Sequence, residues 1–121
     1  MVVDSSIWVE FFSDGPLAET CFKKIKNGEV YVPAIVIYEV YRKFVEKGFT
    51  ELAMQIVAYL AKSKVIEIDQ AVALAAADIS IEHKLPMADS LVYACAQLNG
   101  QVLLTLDHDF LGLPQVELLR K

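Results

Sequence analysis

Four carboxylates stand in stretches of the 121-residue sequence that carry no other charge. These acids are Asp4, Glu39, Asp89 and Asp107, the only charged residues of residues 1–9, 30–41, 85–106 and 102–107, respectively. An unpaired carboxylate in an apolar environment costs several kcal/mol of stability or becomes protonated. Such isolation predicts a shared purpose for the four acids, provided that the fold brings them together.

The ligand chemistry of these acids favours a hard divalent cation. The only two histidines, His83 and His108, are far apart and lack a metal-ligand spacing. A set of carboxylate oxygens suits Mg²⁺ or Mn²⁺ better than Zn²⁺. A cation held in this way activates a water molecule and neutralises charge on a phosphate, as phosphodiester hydrolysis requires. The four acids therefore predict a metal site for phosphoryl-transfer chemistry.

Each acid also has a purely structural alternative. Asp4 follows the first apolar run and could cap the helix after it. Asp89 stands in the first turn of its helix, where the helix dipole favours an anion. Asp107 could be a turn residue. Glu39 has the weakest alternative, an ion pair with a base one turn later in its helix.

The formal net charge of −5 argues against a simple electrostatic clamp for nucleic acid. The charge is uneven, however, because residues 23–64 hold eight of the eleven basic residues and only four acids. Arg42 and Lys43 follow Glu39 within about one helical turn. We therefore predict that these two bases bind nucleic-acid phosphates beside the metal site. The alternative is that the basic segment forms an ordinary solvated face.

Short apolar runs alternate with longer amphipathic segments along the chain. We predict strands at 1–3, 29–32, 64–68, 101–106 and 116–119, helices at 7–12, 17–26, 33–47, 50–61, 69–84 and 86–98, and a helical turn at 108–111. Thr50 and Asp69 are the expected N-caps of two of these helices. Continuously apolar strands between helices indicate a parallel sheet covered on both faces, which is an α/β sandwich. Loops and helix starts at the carboxyl ends of such strands collect functional residues.

Composition bounds the remaining possibilities. Hydrophobic residues make up 55% and charged residues 22% of the chain, so a single folded domain over residues 1–121 is expected. Two cysteines, Cys21 and Cys95, are too few for a disulfide scaffold, and a reducing cytoplasmic location fits best. Neither a membrane span nor a signal peptide is expected.

Four ordered motifs carry a resemblance to PIN-domain proteins, and above all to VapC-like toxin nucleases of type II toxin–antitoxin pairs. They are Val3-Asp4-Ser5-Ser6, Ile37-Tyr38-Glu39-Val40, Met87-Ala88-Asp89-Ser90-Leu91-Val92-Tyr93-Ala94-Cys95-Ala96 and Leu104-Thr105-Leu106-Asp107-His108-Asp109-Phe110. The resemblance covers essentially the whole chain. The last two motifs are specific in this order and spacing, whereas the opening Asp-Ser-Ser alone would be weak.

The resemblance implies a PIN-like three-layer α/β/α sandwich with a central, mainly parallel sheet. It also implies a Mg²⁺- or Mn²⁺-dependent endoribonuclease that forms homodimers and is inhibited by a cognate antitoxin. Asp4, Glu39, Asp89 and Asp107 match the acidic quartet of the family and would be its catalytic and metal-binding residues. Three further positions match it as well: Asp109 as an additional acid, and Ser6 and Thr105 as supporting polar residues. For Asp109 the alternative is an N-cap of the short turn, and for Ser6 and Thr105 it is local capping.

Two other functions remain open at this stage. A non-catalytic PIN-fold module for RNA binding or assembly would be favoured by loss of one of the acids, and all four are present. A receiver-like phosphotransfer domain needs a lysine after a late strand, where this chain has Asp107. The aromatic residues after the first motif (Trp8, Phe11 and Phe12) are expected in the core or a dimer contact. Tyr38, Tyr41 and Phe44 are expected to form a packing stripe.

Overall fold

A parallel sheet of five short strands forms the centre of the protein, in a computed structural model that describes residues 1–120. The strands are β1 (Val2–Val3), β2 (Tyr31–Pro33), β3 (Lys64–Ile66), β4 (Leu103–Thr105) and β5 (Val116–Leu118). Their order across the sheet is β3-β2-β1-β4-β5, and every neighbouring pair is parallel. The predicted α/β fold with a mainly parallel sheet is therefore confirmed.

Six helices flank the sheet and connect its strands. They are α1 (Ser5–Phe12), α2 (Ala18–Lys26), α3 (Ala34–Glu46), α4 (Thr50–Leu60), α5 (Gln70–His83) and α6 (Met87–Leu98). A 3₁₀ turn covers His108–Phe110. Every predicted element is present, and its ends differ from the prediction by at most two residues. The α1 helix begins at Ser5 instead of residue 7, and Pro33, predicted as the first residue of a helix, is the last residue of β2.

The expected helix caps have different outcomes. The Asp69 side chain accepts a hydrogen bond from the Val72 N–H at 3.0 Å, so this cap is confirmed. Thr50 is wrong as a cap, because it is the first residue of α4 itself and Phe49 takes the N-cap position without a side-chain hydrogen bond. Gly48 forms a tight turn with a positive φ of 86°. Only Phe49 separates this turn from α4, so Phe49 takes the cap position and Thr50 is already helical.

The core explains why the strand sequences are continuously apolar. Val2, Val3, Leu103 and Leu104 are completely buried, because helices cover both faces of a parallel sheet. Trp8 is also completely buried and stacks on Phe12, with ring centroids 6.1 Å apart. The prediction that Trp8 belongs to the core is therefore correct.

The predicted packing stripe of α3 is wrong for two of its three aromatic residues. Phe44 is buried, but Tyr38 and Tyr41 are 56% and 40% exposed. The buried face of α3 consists of Val36, Val40 and Phe44, which follow one another at intervals of four residues. Both tyrosines fall on other faces of the helix, away from the core.

The sheet reverses its direction of winding between β1 and β4. From β1 the chain continues to β2 on one side, whereas from β4 it continues to β5 on the other side. In open parallel sheets such a switch point leaves a crevice outside the carboxyl ends of the strands, where ligands bind. Val3 is paired with Leu104, so the next residues, Asp4 and Thr105, lie side by side at this crevice.

Two further expectations concern cysteines and membranes. Cys21 and Cys95 are buried free thiols, and burial is the main cause that raises the pKa of each to about 11. Within residues 1–120, no helix combines the length and the apolar character needed to cross a bilayer.

Candidate active site

An open pocket of about 710 Å³ lies over the β1/β4 crevice, between α1, α3 and the start of α6. Its wall contains all four acids of the quartet and both predicted RNA-binding bases. These residues are Asp4, Glu39, Asp89, Asp107, Arg42 and Lys43. Residues that are up to 103 positions apart in sequence are thus brought to one cavity.

Asp4 is the most deeply buried of these acids, with 3% of its surface exposed. Its Oδ2 atom accepts hydrogen bonds from Ser6 Oγ and Thr105 Oγ1, both at 2.8 Å. Burial raises the pKa of Asp4, and these hydrogen bonds partly oppose that rise. Although Asp4 occupies the N-cap position of α1, its side chain makes no capping hydrogen bond, so the capping alternative is wrong.

Ser6 and Thr105 connect the ends of β1 and β4 as well as holding Asp4. Ser6 Oγ accepts a hydrogen bond from the Leu106 N–H at 3.0 Å, and Thr105 Oγ1 accepts one from the Asp107 N–H at 2.9 Å. Thr105 is completely buried. Each hydroxyl therefore donates to the Asp4 carboxylate and accepts from the backbone of the segment that leads to Asp107.

Asp89, Asp107 and Asp109 form the most compact group of acids in the site. One carboxylate oxygen from each lies within 4.8 Å of the others. Burial, the charges of Asp107 and Asp4, and a hydrogen bond to Asp109 raise the pKa of Asp89 to about 7. The resemblance implied that Asp109 is an additional acid beside the quartet, and the structure places it in the compact group.

The short turn after β4 is capped by Asp107. The Asp107 Oδ1 atom accepts a hydrogen bond from the Asp109 N–H at 2.9 Å. The alternative that made Asp109 the N-cap is therefore wrong, because Asp109 lies inside the turn, exposed to solvent. The turn role of Asp107 is correct, and the same residue also lines the pocket.

Glu39 is half-buried in the middle of α3 and faces the other acids. Burial and then the charge of Asp4 raise its pKa, with a smaller contribution from Asp107. The expected alternative, an ion pair within the helix, does not form. Arg42 is bound to Glu46 instead, with Nε and Oε1 2.6 Å apart, and Glu39 has no salt bridge among residues 1–120.

The basic segment is partly neutralised in the folded chain. Four of its eight bases form salt bridges: Lys23, Lys24, Arg42 and Lys64. Lys43 lines the pocket and has no acidic partner within 4.0 Å in the described part of the chain. The solvated-face interpretation thus holds for part of the segment, and the pocket itself contains two bases.

The donor set fits a divalent cation. All candidate ligands are carboxylate oxygens, and no Lys or Arg within residues 1–120 forms a salt bridge with any of the five acids. Burial, and after it the negative charges of the neighbouring acids, raises the pKa values of Asp4, Glu39 and Asp89. A bound hard cation would relieve the repulsion between these acids, which no salt bridge within residues 1–120 relieves.

Glu10, Tyr38 and Met87 are among the pocket-lining residues that sequence reasoning did not assign to the site. The Oε2 atom of Glu10 accepts a hydrogen bond from the Leu17 N–H at 2.7 Å, which connects α1 to the residue before α2. Helical spacing could have located two of them, since Glu10 lies four residues after Ser6 and Tyr38 lies four residues before Arg42. No local signal in the sequence distinguishes Met87.

The raised pKa of Asp89 predicts how the stability of the metal-free protein depends on pH. Its folded-state pKa of about 7 exceeds the ordinary value of 3.8, so the folded state retains a proton that the unfolded state releases. This contribution to stability is full below the ordinary pKa and is lost as pH rises through about 7. We expect the melting temperature in chelator to fall by several degrees between about pH 5 and about pH 8.

The variant Asp89→Asn provides the control for this pH dependence. Its melting temperature should fall less over the same range, because the titrating carboxyl is gone. A wild-type melting temperature that stays constant or rises between these pH values would contradict the prediction.

Neutralising Glu39 predicts an opposite pair of effects on stability. Without metal, Glu39→Gln should raise the melting temperature by a few degrees, because repulsion by Asp4 and Asp107 disappears. With metal, the variant should gain less stabilisation than the wild type. Differential scanning fluorimetry with chelator and with Mn²⁺ measures both, and Glu51→Gln, an exposed acid on α4, is the matched control. A lower metal-free melting temperature for Glu39→Gln would count against close convergence of the acids.

Comparison with protein families matches residues 1–115 to the PIN domain family. The match includes the complete acidic quartet and Asp109. No curated protein is similar enough in sequence to match.

Solved structures of similar fold come from bacterial toxin–antitoxin systems. A toxin–antitoxin complex from Klebsiella pneumoniae is 24% identical, with a TM-score of 0.81 over 96% of this chain and 94% of that one. VapC20 of Mycobacterium tuberculosis, described as a sarcin–ricin loop cleaving toxin, is 17% identical, with a TM-score of 0.79 over 90% and 91% of the two chains. VapBC2 of Rickettsia felis, bound to a promoter DNA fragment, is 15% identical, with a TM-score of 0.80 over 98% of each chain. These similarities show a shared fold along nearly the full length of the chains.

Proposed function

Since this chain belongs to the PIN domain family, we propose that it is a metal-dependent endoribonuclease and the toxin of a VapBC-type toxin–antitoxin pair. The observation that carries the proposal is the meeting of Asp4, Glu39, Asp89 and Asp107 in one open pocket. The structural similarity to VapC20, a sarcin–ricin loop cleaving toxin, supports a cleaving activity of the same kind. A non-catalytic module would have no need for four unpaired acids around one cavity.

Mg²⁺ or Mn²⁺ is the proposed cofactor, held by Asp89, Asp107 and Asp109 together with Asp4 and Glu39. When bound, the cation lowers the pKa of a coordinated water and offsets negative charge on the phosphate. Asp4 keeps its orientation through Ser6 and Thr105, which are the proposed supporting residues.

The bases of α3 have the proposed role of binding the RNA backbone. Arg42 and Lys43 line the same pocket as the acids, so they can contact phosphates next to the cleaved bond. Attack of water on phosphorus, in line with the leaving 3′ oxygen, breaks the P–O3′ bond. The products are a 5′-phosphate and a 3′-hydroxyl.

The experiment that tests the activity combines purified protein, structured and single-stranded RNA, and either Mg²⁺, Mn²⁺ or a chelator. We expect cleavage only with metal, and sequencing of the RNA ends should show 5′-phosphates. Cleavage that persists in chelator would contradict the mechanism. RNA binding without any cleavage would instead favour a non-catalytic module.

A cognate antitoxin is the proposed protein partner, because antitoxins accompany the toxin in the complexes of similar fold. The RNA-cleaving role and the free thiols of Cys21 and Cys95 both fit the proposed cytoplasmic location. Co-expression with the product of a neighbouring small gene, followed by copurification, tests the partner. We expect the complex to lack the RNA cleavage that the free protein shows.

A homodimer is also proposed, and the outer face of α5 supports it. Leu74 and Ile81 lie two turns apart on this helix and are 62% and 80% exposed. Large apolar side chains at this spacing form a stripe that association would bury. We expect Ile81→Glu to shift the protein from dimer to monomer in light scattering, with Met54→Glu on α4 as the control. A monomeric wild type would contradict the proposal.

A further inference from the structure

Two large apolar side chains line the acidic pocket without contributing to the core. Tyr38 on α3 is 56% exposed, and Met87 at the start of α6 is 75% exposed. Each is close in sequence to an acid of the quartet, since Tyr38 precedes Glu39 and Met87 lies two residues before Asp89. Neither side chain carries a charge, and both present apolar surface to the opening, so the pocket offers a second type of contact.

Tyr38 is fixed on the pocket wall beside a base. Its hydroxyl lies 3.4 Å from Nη1 of Arg42, one turn further along α3. Arg42 is in turn held by Glu46, and all three side chains line the pocket. The aromatic ring is therefore placed next to a cation suited to phosphate, while over half of the side chain remains open to a ligand.

The charge of the pocket limits what electrostatic attraction can contribute to RNA binding. Six carboxylates and two cations line it. With a single divalent cation bound, negative charge would still be in excess. One of the two bases, Arg42, already forms an ion pair with Glu46. Binding of a polyanion therefore needs contacts that do not depend on charge, and stacking of bases on aromatic rings is the common form of such a contact.

The requirement for stacking also selects the form of the RNA. In a duplex, both faces of each base are covered by its neighbours, so a protein ring cannot reach them. Bases in loops, bulges and single strands have open faces and stack on aromatic side chains. An exposed ring in a pocket of this kind therefore favours an unpaired base.

We propose that Tyr38, with Met87 beside the same opening, binds an unpaired RNA base next to the bond that is cleaved, and so makes the nuclease selective for unpaired segments. The proposal rests on the proposed ribonuclease function for the identity of the ligand. Tyr38 thereby acts as a substrate-binding residue that determines specificity.

Binding measured without turnover tests the proposal separately from catalysis. The probe is a short single-stranded RNA of mixed sequence that carries a fluorescent adenine analogue and hydrolysis-resistant phosphorothioate linkages, with Mg²⁺ present. We expect the wild type to quench the fluorescence on binding. Tyr38→Ala should weaken binding about tenfold or more and lose the quenching, whereas Tyr38→Phe should keep both.

Two controls make the result specific. Tyr41→Ala removes a 40% exposed tyrosine of the same helix that does not line the pocket, and it should bind like the wild type. Annealing a complementary strand to the probe should abolish the quenching. Equal binding by wild type and Tyr38→Ala would overturn the proposal. Loss of binding in both Tyr38→Phe and Tyr38→Ala would also overturn it, because the hydroxyl beside Arg42 would then be responsible.

The outcome separates this proposal from the nuclease assignment. If the wild type prefers to cleave unpaired RNA and Tyr38→Ala keeps both this preference and the wild-type cleavage rate, the stacking role is wrong and the nuclease stands. If Tyr38-dependent quenching occurs but no RNA is cleaved with any metal, the stacking role stands and the nuclease is wrong.

Discussion

Replacement of Asp89 by asparagine is expected to reduce RNA cleavage by more than about 100-fold, since even residues that only support metal ligands often cost 10- to 100-fold. Asp89 contributes an oxygen to the compact group with Asp107 and Asp109. An amide has nearly the same shape as the carboxylate but carries no charge, so the change removes attraction for the cation and leaves the volume intact. Asp4→Asn should have a comparable effect, because the buried Asp4 is also oriented into the pocket.

Folding and metal binding of the Asp89→Asn protein have to be measured beside its activity. Its metal-free melting temperature should equal or exceed that of the wild type, because a repelled carboxylate has been removed. The increase in melting temperature caused by Mn²⁺ should become smaller or disappear. Asp78→Asn, on the exposed side of α5, is the matched control and should cleave RNA like the wild type. Cleavage by Asp89→Asn at more than a tenth of the wild-type rate would sink the assignment of this residue, given the expected factor of about 100.

The second large effect is expected from Thr105→Val, which changes the shape of a buried side chain very little. Thr105 donates a hydrogen bond to Asp4 and accepts one from the Asp107 backbone, so valine breaks both. The unfolding free energy should fall by about 1–3 kcal/mol, the usual cost of leaving buried polar groups without partners. Activity should fall about 10- to 100-fold, because Asp4 loses one of the two hydroxyls that orient it.

The measurement must distinguish positioning from mere loss of folding. Thr105→Ser keeps the hydroxyl and should restore most of the activity even though it lacks the methyl group. Titration of Mn²⁺ by calorimetry should show weaker binding in Thr105→Val, at a temperature where circular dichroism shows the variant to be folded. Thr50→Val, at an exposed position, should change neither property. Unchanged Mn²⁺ affinity in a folded Thr105→Val protein would mean that Thr105 does not position the site.

Several features of the site were accessible from the sequence alone. The isolation of Asp4, Glu39, Asp89 and Asp107 in uncharged stretches follows from reading the residues, and all four line one pocket. The helices and strands were also predictable, because alternation, capping residues and Gly–Pro punctuation act over a few neighbouring residues. Errors such as Thr50 as a cap concern single residues at element ends, where the local signals are weakest.

Other features depend on contacts between distant parts of the chain. Sequence spacing could not show that Arg42 forms its ion pair with Glu46 instead of Glu39, because both acids lie within reach of Arg42 on the same helix. It also could not show that Tyr38 would remain open while Phe44 is buried. Which face of α3 meets the core depends on how the helix packs against the sheet and its neighbours, and no stretch of α3 encodes that packing by itself.

The sequence by itself determined the chemistry available to this protein: an all-oxygen set of acids, the elements that carry them, and the PIN-like fold that their motifs resemble. Only the tertiary structure decided the strand order β3-β2-β1-β4-β5, which places the ends of β1 and β4 side by side. The same arrangement brought Asp109 into the compact acidic group and gave Thr105 its two partners. The physical reason is that element type follows from local periodicity, whereas the neighbours of a strand or helix face are selected by burial of the whole core.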